Sequence, residues 1–110
     1  MKNYVQPGEN ITVPAPADVT AGQLVLVGSL VGVAQAAALS GEDVVLVRRG
    51  VFVLAKTSAQ AWTVGAKIYR DATTGAATTT ATSNLLIGVA AAVADNPSAE
   101  GRVLLDGAVR

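Results

Sequence analysis

The sequence predicts an all-β fold: a small β-barrel or β-sandwich built from two similar four-strand units, with an extended N-terminal arm. Three observations lead there. The apolar residues fall in short runs, such as residues 44–47, 51–54 and 66–69, which are strand length rather than helix length and rich in Val, Ile, Phe and Tyr. Glycine and polar turn residues punctuate these runs, and no sustained helical period joins them. Finally, the order of runs and turns over residues 17–50 recurs over residues 51–110.

Residues 1–10 are polar, and Pro7-Gly8 reads as a turn. Ile11-Thr12-Val13 is a short strand. Pro14 and Pro16 confine the segment after it to an edge or a linker, because proline cannot donate to a sheet ladder. Residues 1–16 read equally as an arm lying along a neighbouring surface and as an ordinary frayed terminus. Strands then fall at 23–27 and 30–34, around a Gly28-Ser29 turn. Residues 36–40 make a helical turn or a loop, and Gly41-Glu42-Asp43 turns the chain into the strand at 44–47.

In the second unit, residues 51–54 stand where 11–13 stood. Trp62-Thr63-Val64-Gly65 mirrors Val19-Thr20-Ala21-Gly22, and residues 66–70 mirror the strand after it. Leu86-Ile87-Gly88-Val89-Ala90 matches Leu30-Val31-Gly32-Val33-Ala34, where Gly32 and Gly88 fit a bulge or a close crossing of backbones. Glu100-Gly101-Arg102 and residues 103–105 are read against the Gly41 turn and its strand, and Gly107 against Gly50. The units differ chiefly by an insertion at 71–84. Its start, Asp71-Ala72-Thr73-Thr74-Gly75, reads as a hairpin turn with an acceptor first and a positive-φ glycine last. Residues 78–82 extend that hairpin or form an exposed loop.

A chain of 110 residues makes one domain. Eight basic and eight acidic residues cancel to a formal charge of zero, so the basic stripe that nucleic acid or an anionic membrane requires is missing. Arg48-Arg49, the densest basic spot, reads as a strand-end cap or a solvated pair. With no cysteine and no histidine, disulfides, Cys/His zinc sites, thiol nucleophiles and imidazole bases are excluded. Residues 1–13 lack a signal-peptide core, and the apolar run 85–94 falls short of the ~20 residues a bilayer needs. The expectation is a soluble chain not secreted by a classical route. Its apolar side chains are mostly Ala and Val, which bury little area each, so stabilisation against copies of itself or a partner is expected.

The glycines form neither a Walker loop nor a dinucleotide fingerprint. The serines have no histidine partner, and Ser58 beside Lys56 is the commonplace pairing of residues sharing one strand face. Glu42 and Asp43 would point to opposite faces of a strand, and Asp95 with Glu100 flanks a solvated turn rather than a calcium loop. A biotinyl or lipoyl carrier would place its lysine at a hairpin tip between apolar residues. Neither Lys56 nor Lys67 sits so. The expectation is a non-enzyme with no catalytic residues, metal, cofactor or small-molecule substrate. Trp62 and Tyr69 are read as core anchors, with an oligomer interface as the second reading.

A family resemblance adds to this. A Pro-Gly turn near the start, Ala21-Gly22 before a strand, and Leu30-Val31-Gly32-Val33-Ala34 come first. Gly41-Glu42, Gly50-Val51-Phe52-Val53-Leu54 running into Lys56, Gly65-Ala66-Lys67-Ile68-Tyr69 and Ile87-Gly88-Val89-Ala90 complete the series. Together they resemble the small capsid cement (decoration) proteins of tailed bacteriophages, once labelled recombinase-like; the absent phosphate loop gives that label no support. The resemblance implies a structural protein, made in the host cytoplasm, that binds the outer surface of a phage head. It also implies a homotrimer whose partner is the major capsid protein, with no nucleic acid or membrane. Candidate capsid or subunit contacts are Tyr4, Pro7, Ile11, Val13 and Pro14 in the arm, Trp62, and Thr78 and Thr80 in the insertion. The alternative is another self-assembling β accessory module of a phage particle, or a small non-catalytic binding domain.

Overall fold

The computed structural model describes residues 8–108. Among them lie nine strands and no helix: β1 Asn10–Pro14, β2 Leu24–Val27, β3 Leu30–Ala34, β4 Asp43–Val47, β5 Arg49–Ala55, β6 Lys67–Arg70, β7 Ala77–Thr78, β8 Leu85–Ala90 and β9 Glu100–Asp106. They form two antiparallel sheets in the orders β1-β4-β3-β2 and β5-β9-β8-β6-β7. The arrangement is a sandwich rather than a closed barrel. The second sheet does curl, and its outer strands come together where Lys56 bridges Ala77 and Thr57 N–H donates to the Ala77 carbonyl at 3.0 Å.

The halves share one wiring. Val19 exchanges backbone hydrogen bonds with Ala38, and Trp62 does the same with Ala94. Gly22 N–H donates to Ala34 and Gly65 N–H to Ala90, each at a positive φ, 83° and 86°. Gln35 N–H donates to Val45 and Ala91 N–H to Arg102, while Ala15 N–H donates to Glu42 and Lys56 N–H to Ala99. These pairs set Val44 equivalent to Gly101, so Glu100-Gly101-Arg102 corresponds to the start of β4. That corrects the reading of it as the Gly41 turn. Gly101 lies inside β9 because the Trp62 ring occupies the space where a side chain would stand.

Strand alternation distributes the core. In β9, Gly101, Val103 and Leu105 face in while Glu100, Arg102, Leu104 and Asp106 face out, the period-2 pattern of a half-buried strand. One cluster joins the sheets: Leu24, Val31 and Val33 from the first pack with Leu54, Trp62, Ile68, Ile87, Val103 and Leu105 from the second. The other face of the first sheet carries its own cluster, with Val25, Ala34, Val44 and Leu46 closed over by Ala15 and Val19. β3 is therefore apolar along its whole length, being covered on both faces.

Gly32 and Gly88 are close-approach positions at equivalent places. A Cβ at 88 would collide with the Leu104 carbonyl oxygen, whereas one at 32 would lie 2.9 Å from the Leu46 Cβ. We predict that Gly88→Ala lowers stability by about 2 kcal/mol or more, because β8 and β9 must part to admit the methyl. Gly32→Ala should be milder, since its closest approaches, 2.9 Å to the Leu46 Cβ and 3.1 Å to the Val47 carbonyl oxygen, are a far smaller overlap. Urea melts of the two variants check the order; a larger loss at 32 would contradict it.

Candidate interaction surface

Among the described residues, no three His, Cys, Asp or Glu side chains gather where a metal could bind. The most elaborate polar arrangement is built on Lys56, at the end of β5 and only 5% exposed. Its counterpart in the first unit is Ala15. The Lys56 ammonium donates to the carbonyl oxygens of Thr57 (2.9 Å), Ser58 (3.4 Å), Ser98 (3.4 Å) and Asp95 (3.5 Å). It also lies 5.7 Å from the centre of the Trp62 ring, within range of a cation–π attraction. The nitrogen meets the carbonyl of Ser58 rather than its hydroxyl, so the Ser58–Lys56 pair is not formed. A compact point charge with several donors suits such a cage, and here it ties the 57–58 turn to the loop at 95–98.

A second cation organises the chain ends. Arg48 lies between β4 and β5, and its guanidinium donates to the Gly8 and Gly107 carbonyls, each at 2.6 Å. Its backbone N–H bonds the Glu9 carbonyl at 2.8 Å. Arg49 makes an ion pair with Glu9 at 3.4 Å, exposed on both sides and so worth about 0–1 kcal/mol.

The expected contact residues separate into groups. Tyr4 and Pro7 lie outside the described residues. Ile11 and Val13 stand opposite Leu46 and Val44 and point into the second cluster, while Pro14 is exposed opposite Asp43. Trp62 is 1% exposed, so it serves as a core anchor and offers no surface to a partner. Thr78 is likewise interior, its hydroxyl bonded to the Gln60 side chain at 2.9 and 3.2 Å. Thr80 is exposed and meets the same Gln60 at 3.3 Å. Thus Gln60 brings the two insertion threonines together.

The hairpin at the head of the insertion forms as its residues dictate. Asp71 Oδ1 accepts from Thr73 N–H (2.8 Å) and Thr74 N–H (3.0 Å), and Gly75 turns the chain at φ 76°. Asn84 then holds the far end, accepting from Ala72 N–H and donating to the Thr80 carbonyl. The bonds from Thr74 and then Thr73 hold the Asp71 carboxyl below its ordinary value.

Sequence reasoning missed the outer face of β5 and β9. Val51, Val53 and Leu104 are 56%, 54% and 43% exposed. Val51 pairs directly with Leu104, which pairs on its other side with Val89, so an apolar row crosses three strands. Charges frame it, with Arg49 opposite Asp106 and Arg102 opposite Val53. The signal was available in Val51-Phe52-Val53-Leu54: with Leu54 inward, Val51 and Val53 must both face out.

This chemistry has two measurable outcomes. Lys56→Met should cost about 2 kcal/mol or more in a urea melt, by stranding buried carbonyls. Lys56→Arg should not restore it, because a planar fork does not fit a cage for a point charge. The depressed Asp71 contributes stability above the pKa of an unfolded aspartate, about 3.9, and that contribution disappears as pH falls through its lower folded value. The Thr73 and Thr74 amide resonances should therefore titrate with a midpoint below that of free aspartate, and Asp71→Asn should abolish the midpoint.

Compared with known families, residues 5–105 match the model of a phage cement protein family. Searches of curated proteins and of solved structures give no match. The family match runs from ahead of β1 into β9 and so takes in both sheets and the exposed apolar row. The chain belongs to the phage cement protein family.

Proposed function

We propose that this chain, whose family gives it a structural role on the phage capsid, binds the outer surface of the head and clamps neighbouring major capsid subunits. It is made in the host cytoplasm and works as a homotrimer. The role is structural rather than catalytic. The observation that carries this reading is the apolar row of Val51, Leu104 and Val89, contiguous across three strands, since exposed apolar patches on small domains mark interaction sites. We assign that row to contact between copies. β1 is an outermost strand with a free edge, which suits residues 1–16 to strand addition on a capsid sheet, with Tyr4, Pro7 and Pro14 in contact with the shell. Thr80 belongs to the same outward set through the insertion.

Purified protein should co-sediment saturably with expanded shells that lack it, near one copy per major capsid subunit; shells that take up none would end the proposal. Deleting residues 1–7 should weaken binding at least tenfold while sparing Gly8 and Glu9, which Arg48 holds. Unchanged binding would remove the arm from the contact. Leu104→Asp should convert trimer to monomer in analytical ultracentrifugation while the monomer keeps its β circular-dichroism spectrum, because that side chain is exposed in the single chain.

A further inference from the structure

A groove of about 500 Å³ opens where the two sheets meet. One wall is the approach to β2, residues 20–24. The other is the β6–β7 hairpin, with Arg70 and residues 74–76, and Leu54 and Ala55 of β5 lie between them. Its volume falls within the range of about 300–1,000 Å³ typical of ligand clefts. Two features make it a receptor for extended polypeptide. β2 is an outermost strand of its sheet and presents an unpaired backbone edge beside the groove, whereas the end of β5 is already bridged to Ala77. Arg70 is the sole charged residue of the lining, and its Nε is buried with no hydrogen-bond partner. Among the described residues, its guanidinium enters no ion pair and no hydrogen bond, and it lies against Gly75 at the groove wall. The neighbouring Asp71 feels the Arg70 charge as a minor influence, but its Oδ1 is committed to the Thr73 and Thr74 amides.

We infer that this groove receives an extended segment of the major capsid protein, with a carboxylate of that segment seated on Arg70. The inference rests on the capsid reading above and gives it a second, chemically defined contact. Charge complementarity selects the occupant. A single guanidinium among neutral walls suits one carboxylate in a bidentate pair, whereas a nucleic acid would need a run of cations. The free edge of β2 supplies the main-chain bonds that strand addition uses. A segment so placed touches both sheets at once, and binding would therefore stiffen one against the other.

The test uses the full chain and expanded shells lacking it. Arg70→Glu should raise the Kd for shells at least tenfold, with an unchanged melting temperature, and Arg70→Lys should fall between, because lysine keeps the charge but loses the fork. Arg70→Glu binding like the parent would overturn the groove assignment while leaving the capsid role intact. Shells that fail to bind even the parent would overturn both. Independently, the cysteine-free chain allows a unique thiol through Thr74→Cys, at an exposed groove residue. A thiol-linked photocrosslinker there should capture an acidic, extended peptide of the major capsid protein. Capture of a second copy of this chain, or no capture from occupied shells, would refute the assignment.

Discussion

The second half of the molecule depends on the Trp62 ring lying over a strand position with no side chain. Trp62 is the largest fully buried residue, and it fits because Gly101 leaves β9 bare beneath it. Its backbone is fixed by two hydrogen bonds with Ala94, and the Lys56 ammonium stands over its face. From this point the joint core spreads to Leu24, Val31 and Val33 of the first sheet. An aromatic of this size contributes more buried area than several of the valines and alanines that make up most of the interior. The thinness of an Ala/Val core is thereby offset at one place.

The two halves show how a repeated fold diverges. The equivalent positions in the first half are Ala15, Val19 and Val44, all small and all in one cluster. In the second half they are Lys56, Trp62 and Gly101. The three substitutions are coupled: a large ring needs a missing side chain opposite, and its π face gives a buried ammonium a partner. One change without the others would leave a collision, a void or an unpaired charge. The backbone wiring stayed constant while side-chain volume moved from strand to loop.

This coupling explains where the sequence was readable and where it was not. Runs such as residues 44–47 and 51–54 declared strands because β-branched residues alternate or cluster between turns, and the Asp71 hairpin declared itself through acceptor and glycine. Gly101 did not, because a glycine beside Glu100 looks like a turn until the ring above it is known. Lys56 looked exposed, as lysines usually are, and its carbonyl cage comes from loops far apart in sequence. Of the expected contacts, Trp62 and Thr78 proved interior for related reasons: a lone tryptophan in a thin core is worth more buried, and Thr78 is drawn in by Gln60. The apolar outer row went unnoticed because a run of four apolar residues does not reveal which of its two faces is covered.

Arg48 gives the fold a further property. One guanidinium grips Gly8 and Gly107 and itself belongs to the short junction between the two sheets, so three stretches of the described chain far apart in sequence converge at one spot. The topology is accordingly close to a loop. A short linker from residue 107 to residue 8 would circularise it, and reopening at the two-residue Gly28-Ser29 turn would preserve every strand pairing.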